Sequence, residues 1–156
     1  MVQLGDLAKD KITGFEGIAM SITSYYNNCD RVGLQPRELS KDGYVRSREF
    51  FDVTQVEVVE KGVVAPEPTV ANPFKFLDEV RCTVTGFKGK VVAMTAWLNG
   101  CMRIGVQSPE FKDGHPIDDL SLPAQQLEMV VEAPKEEKAV KRGGPMKAPG
   151  TVRDPQ

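Results

Sequence analysis

Short apolar and β-branched runs alternate with glycine- and asparagine-containing turns along most of the chain, and helical periodicity is not sustained anywhere. Lys11-Ile12-Thr13 stops at Gly14, and a longer run, 18–25, stops at Asn27-Asn28. A return strand follows at 31–35, then a loop carrying Asp42-Gly43, then a closing strand at 56–59. The segment Thr13-Gly14-Phe15-Glu16-Gly17 places two glycines around an aromatic residue, which suits a tight turn needing φ > 0. Four or five short strands in about sixty residues predict a small barrel, because closure protects edges that a flat sheet leaves open.

The same pattern then recurs. Shifting the chain by 72 residues lays Thr13-Gly14-Phe15-Glu16-Gly17 on Thr85-Gly86-Phe87-Lys88-Gly89. Thr23 meets Thr95, Tyr25 meets Trp97, Asn27 meets Asn99 and Cys29 meets Cys101; Arg31-Val32-Gly33-Leu34-Gln35 meets Arg103-Ile104-Gly105-Val106-Gln107. After one dropped residue, Lys41-Asp42-Gly43 matches Lys112-Asp113-Gly114, and Gln55-Val56-Glu57-Val58-Val59 matches Gln126-Leu127-Glu128-Met129-Val130. Agreement in this order marks an internal duplication. The second copy carries the stronger hairpin signal, Asn99-Gly100. The expected fold is all-β: two tandem SH3-like or KOW-like small β-barrels plus an extended C-terminal arm. The first barrel spans 1–60 and the second 77–132, joined by a linker over 61–76 that contains Pro66, Pro68 and Pro73. Two barrels of this size bury little surface alone and are expected to lean on each other or on a partner.

Residues 133–156 differ in kind. They hold Pro134, Pro145, Pro149 and Pro155, the pair Gly143-Gly144, and almost no large apolar side chain, so they cannot bury enough surface to fold alone. Six basic residues against three acidic ones give this arm +3, which leaves −5 on the body of a chain whose net charge is −2.

Composition narrows the chemistry. Hydrophobic residues make up 40% of the 156, and no apolar run approaches the roughly 20 residues of a bilayer span, so no membrane role is expected. Met1-Val2-Gln3-Leu4-Gly5-Asp6 offers neither a basic nor an apolar leader segment. The three cysteines lack CxxC pairing and point to free thiols in a reducing compartment. A single histidine, His115, leaves little for acid–base catalysis, and no enzyme, cofactor or metal is expected. Cys29, Cys82, Cys101 and His115 lack the close ligand pairs of a zinc site, and Cys29 and Cys101 read as small half-buried residues closing a turn.

Binding residues are better candidates. Tyr25 and Trp97, at equivalent hairpin ends, either line a groove that stacks bases or holds a peptide, or are core or edge aromatics. Arg31 and Arg103 open the return strands and either pair with Asp10 and Glu79 or project to a partner. In the arm, Arg142, Lys147 and Arg153 are the cations placed to meet an acidic surface. A body near −5, with no Lys/Arg stripe interleaved with the aromatics, makes nucleic acid an unfavoured partner.

Gly5-Asp6, Asp10-Lys11-Ile12-Thr13-Gly14-Phe15-Glu16-Gly17, Cys29, Arg31-Val32-Gly33-Leu34-Gln35-Pro36, Phe51-Asp52 and Gln55-Val56-Glu57-Val58 together resemble a family of small tailed-bacteriophage proteins. That family shares a TGFxG … GC.R..VQP … FD..QLEVV pattern, and the ending Gly143-Gly144-Pro145-Met146-Lys147-Ala148-Pro149, then Arg153-Asp154-Pro155, is similar to its ends. The second copy departs from the pattern with Ser108 at the place of Pro36 and Pro123 at that of Asp52. The resemblance implies phage origin and a structural or accessory role, with no catalytic residue carried over. Joined to the shape read above, it predicts a capsid decoration or cement protein. Such a protein is made in the host bacterial cytoplasm and resides in the virion, where it binds the major capsid protein or another head protein, with self-association compatible. Two alternatives stay open: a KOW- or Tudor-like intracellular adaptor for protein or nucleic acid, and a counter-defence protein that sequesters a nucleotide signal.

Overall fold

The structure, a computed structural model, describes residues 1–130, so the arm with Arg142, Lys147 and Arg153 lies outside the described residues. The first copy contributes β1 (Leu7–Asp10), β2 (Glu16–Tyr25), β3 (Arg31–Gln35), β4 (Glu49–Asp52), a 3-10 turn (Val53–Gln55) and β5 (Val56–Glu60). The second contributes β6 (Glu79–Cys82), β7 (Lys88–Trp97), β8 (Met102–Gln107), β9 (Phe111–Lys112), β10 (His115–Pro116), β11 (Leu120–Pro123), a 3-10 turn (Ala124–Gln126) and β12 (Leu127–Met129). The fold is all-β and its pairings are antiparallel.

Strand order repeats with the sequence: β5-β1-β2-β3-β4 in one copy and β12-β6-β7-β8-β11 in the other. Among the described residues β4 pairs only with β3, and β5 only with β1, so backbone hydrogen bonds do not close the expected barrel. Each copy has its own core. Ala8, Ala19, Val32, Leu34 and Val56 form one; Val80, Val91, Ile104, Val106 and Leu127 form the other. Both long strands shift register at the same place, between Ala19 and Ser21 and between Val91 and Ala93. A bulge reverses which side chains point inward. Ala19 and Ile22 therefore face the first core, while Ser21, Thr23 and Tyr25 turn to the opposite face.

The two copies form one sheet. Strand β2 pairs with β7 about Thr23 and Thr95, residues 72 apart in the chain, whose hydroxyl oxygens lie 2.8 Å from each other. Ser21 faces Trp97 and Tyr25 faces Ala93, so the seam has pseudo-two-fold symmetry. Matching bonds extend it on either side: Tyr26 N–H donates to the Val92 carbonyl (2.9 Å), and Leu98 N–H donates to the Met20 carbonyl (2.8 Å). The edge of β2 is thus covered by β1 along its first half and by β7 along its second.

The joining segment laces this seam rather than spanning open space. Val64 N–H donates to the Gly5 carbonyl, Glu67 N–H to that of Leu98 and Val70 N–H to that of Gly100. Phe74 then enters the second core, where its counterpart Val2 occupies the first. Asp6 caps the Gln3 N–H (2.9 Å) as Asp78 caps that of Lys75 (2.8 Å), so the duplication reaches back to these residues as well.

Asp10 is fully buried and organises the first glycine turn. Its carboxylate accepts from the Thr13 N–H (2.8 Å), the Thr13 hydroxyl and the Gln55 side-chain amide (2.8 Å). The Thr13 hydroxyl is the largest influence and, against the opposing effect of burial, holds this carboxyl below the usual aspartate range. A carboxyl lowered in the folded state stabilises the fold above its unfolded pKa, about 4, and loses that contribution as pH falls through the lower folded value. Asp10→Asn is therefore expected to melt below wild type at pH 7, with a gap that narrows below about pH 4. Thermal melts across that range check this; a constant gap would contradict it. The counterpart residue is Cys82, which is also buried.

Candidate functional site

The face opposite the two cores carries most of the candidate binding residues, in rows that cross the seam. The central row runs Asp52, Arg31, Thr23, Thr95, Arg103, Pro123. Beside it lies Phe50, Gly33, Ser21, Trp97; on the other side, by the pseudo-two-fold, Ser121, Gly105, Ala93, Tyr25. The aromatic residue of each copy therefore sits across the seam on the face of the other copy. Each site is composite, and neither copy alone contains one.

The arginines brace this face. Arg31 donates to the Phe50 carbonyl (3.0 Å) and lies 3.5 Å from the Asp52 carboxylate. Arg103 donates to the hydroxyl (3.0 Å) and the carbonyl (2.7 Å) of Ser121. Both thus tie β3 or β8 to the outermost strand, at equivalent positions. Asp10 and Glu79, the partners expected from the sequence, do not take this part: Asp10 is engaged by the glycine turn, and the strand register brings Asp52 and Ser121 alongside instead.

Around Trp97 the sequence-based expectation needs correction. The Arg48 guanidinium stands 4.7 Å from the ring centre of Trp97, so a cation does interleave with the aromatics. Ser21 Oγ, Arg48 Nε and Trp97 Nε1 are buried atoms without a protein hydrogen-bond partner, and all three belong to this one composite site. Gly33 leaves room for them: a Cβ there would lie 2.6 Å from Ser21 Oγ and 3.2 Å from Arg48 Cδ. At the symmetric site Asp119 occupies the place of Arg48, and it lines a small hollow with Tyr25, Tyr26 and Asn27. Arg48, Ser21, Phe50 and Asp119 were not singled out from the sequence. The available signal was the repeat itself, because Arg48 against Asp119 and Ser21 against Ala93 are where matched copies diverge.

The three cysteines are free thiols. Cys29 and Cys101 follow their turns, each donating its N–H to an Asn side-chain oxygen (Asn27 and Asn99), but both are exposed rather than half-buried. The Asp52 carboxylate beside Cys29 raises its thiol, disfavouring the thiolate a nucleophile needs. Cys82 is held somewhat low, chiefly by hydrogen bonding from the Thr85 side chain, but is buried in the second core. Among the described residues no cluster of His, Cys, Asp and Glu has metal-holding geometry. No helix among them is long and apolar enough to cross a membrane.

Aromatic rings and arginines spread over one continuous sheet are suited to holding a surface. Tyr25, Trp97, Arg31 and Arg103 are all brought to that face, while Arg142, Lys147 and Arg153 fall outside the described residues. No family model, curated protein or solved structure matches this chain.

Proposed function

We propose that the protein is a bacteriophage capsid decoration protein, docking on the head shell through the composite face of its paired modules and through its C-terminal arm. The observation that carries the proposal is the pseudo-two-fold face, with Trp97, Tyr25 and Phe50 set among Arg31, Arg48 and Arg103 on one laced sheet. Aromatic and arginine side chains supply most of the energy at protein interfaces, and a preordered sheet loses little entropy when it docks. The phage setting comes from the sequence resemblance. We also read each module as an open SH3-like barrel, a reading supported by the strand order and by the 3-10 turn before the last strand. Weak contacts repeated over a shell add through multivalency, and a captured arm strengthens each one.

The Arg48–Trp97 pair favours one second reading, an intracellular adaptor that stacks a planar group of its partner on this site. Quantitative mass spectrometry of purified particles of the encoding phage separates the two. The decoration reading expects a copy number in simple ratio to the major capsid protein; absence from particles overturns it and leaves the adaptor.

A further inference from the structure

The two loops between the third and fourth strands of the copies are equivalent by the repeat, and they have opposite charge. Residues 36–48 carry Arg37, Lys41, Arg46 and Arg48 against Glu38 and Asp42, a net +2. Residues 108–119 carry Glu110, Asp113, Asp118 and Asp119 against Lys112 alone, a net −3. None of these charges belongs to an ion pair among the described residues. Both loops are ordered arms. In the first, Leu39 bridges Val45 and the Gln35 side chain donates to the Arg46 carbonyl (2.7 Å). In the second, β9 pairs with β10 and the Gln107 side chain donates to the Ile117 carbonyl. Each arm also presents apolar groups to solvent: Tyr44 and Val45 are 73% exposed on the basic arm, and Phe111 is 70% exposed on the acidic one.

The ground beneath the arms differs too. Under the acidic arm lies a cleft of about 880 Å³ lined by Phe87, Ile117 and Leu120 with Glu79 and Glu110; Lys88 and Lys90 also line it. The equivalent hollow in the first copy, where Arg37 and Arg46 stand, is about 230 Å³.

We propose that this chain self-associates head to tail, the basic arm of one copy seating on the acidic arm and cleft of the next. Opposite charge selects unlike arms, since two basic or two acidic arms repel. Tyr44 and Val45 supply the apolar centre that the charged rim surrounds. Because the two surfaces are different patches, the contact is heterologous: it leaves a free basic arm at one end and a free acidic arm at the other, and so propagates or closes into a ring. The proposal does not depend on the capsid reading, since it concerns the isolated protein.

Sedimentation equilibrium of the full chain tests it. At about 20 mM salt the weight-average mass should climb with concentration to at least about twice the monomer value, and return to monomer near 0.5 M salt, where screening shortens to a few ångström. Two double variants complete the test. R37E/R46E makes the basic arm net −2, and E110K/D118K makes the acidic arm net +1. Each alone should stay monomeric at low salt, and an equimolar mixture should associate, since each variant supplies the arm the other lacks. These four side chains are exposed, so melting temperatures close to wild type are expected and serve as the folding control. Three results overturn the proposal: a wild type that is monomeric at every salt and concentration, as capture of the acidic arm by the chain's own Lys135, Lys141 or Arg142 would produce; association surviving in both variants; or a mixture that stays monomeric.

Discussion

Gly5→Ala is expected to destabilise the protein by about 2–4 kcal/mol, a large share of the total stability of a domain this size. Gly5 sits at φ +87°, and a Cβ built there would lie 1.8 Å from the Val64 carbonyl oxygen. Two costs add. A non-glycine residue in the left-handed region gives up roughly 1–2 kcal/mol, and a clash with backbone that cannot rotate away costs about as much again. The joining segment is what makes the position so tight, since Val64 donates its N–H to the Gly5 carbonyl at the same crossing. The molecule holds its own controls. Gly14 also has positive φ but nothing within 4 Å of its would-be Cβ, so Gly14→Ala should lose only about 1 kcal/mol. Leu77 is the counterpart of Gly5 and bears a side chain at φ +68° with 44% of its surface exposed. Urea denaturation of the two alanine variants checks the ranking, and equal midpoints would sink it.

Trp97→Ala should be nearly as damaging, at about 2–3 kcal/mol, somewhat below the range for a fully buried tryptophan because the ring is half-buried. The truncation removes the largest side chain at the seam and strips the Arg48 guanidinium of its aromatic neighbour. Trp97→Phe separates ring from N–H. The indole nitrogen has no protein partner, so phenylalanine keeps the stacking surface, gives up no protein hydrogen bond, and should cost less than about 1 kcal/mol. If Trp97→Phe proves as harmful as Trp97→Ala in denaturant melts, the ring's role is not the one assigned to it. On the decoration reading proposed above, Trp97→Phe should retain most of the attachment in particle-binding assays, while Trp97→Ala should lose it.

Much of the local structure was legible in the sequence because it depends on neighbours in the chain. Asn28 and Gly100 take the left-handed conformation that their hairpin turns need, as do Gly14 and Gly86, the first glycine of each TGFxG segment; the second glycines, Gly17 and Gly89, lie instead inside β2 and β7, where a Cβ would strike the backbone of Gln35 and Gln107. What the sequence did not reveal is how the copies meet. A repeat says that two segments fold alike; it does not say which of their edges pair. The seam depends on the second halves of β2 and β7 lacking a covering strand within their own copies, a property of three-dimensional register. The arginine partners were missed for a related reason. Arg31 and Asp52 are 21 residues apart, and only the pairing of β3 with β4 sets them side by side. Arg48 and Trp97 lie farther apart still, and they belong to different copies. The barrel closure rests on strand count; the first copy has the five strands expected, and the second has five in the shared sheet plus the short β9–β10 hairpin. The rims stay unpaired because the chain crosses from β4 to β5 through a 3-10 turn, and from β11 to β12 through its counterpart.

Linking the two modules in one polypeptide has a consequence that follows from symmetry alone. Two identical chains joined across a true dyad must present the same groups at both ends, so their dipole components perpendicular to the axis cancel, and every substitution is made twice. One chain holding both halves is free of that rule. Thr23 and Thr95 keep the dyad at the centre, where the hydroxyls still face each other. Away from it Arg48 answers Asp119, Trp97 answers Tyr25 and Asp10 answers Cys82. The molecule thereby becomes a vector in its loops: the one over 36–48 is basic and its counterpart over 108–119 is acidic, and a charged lattice or a neighbouring copy can tell one from the other.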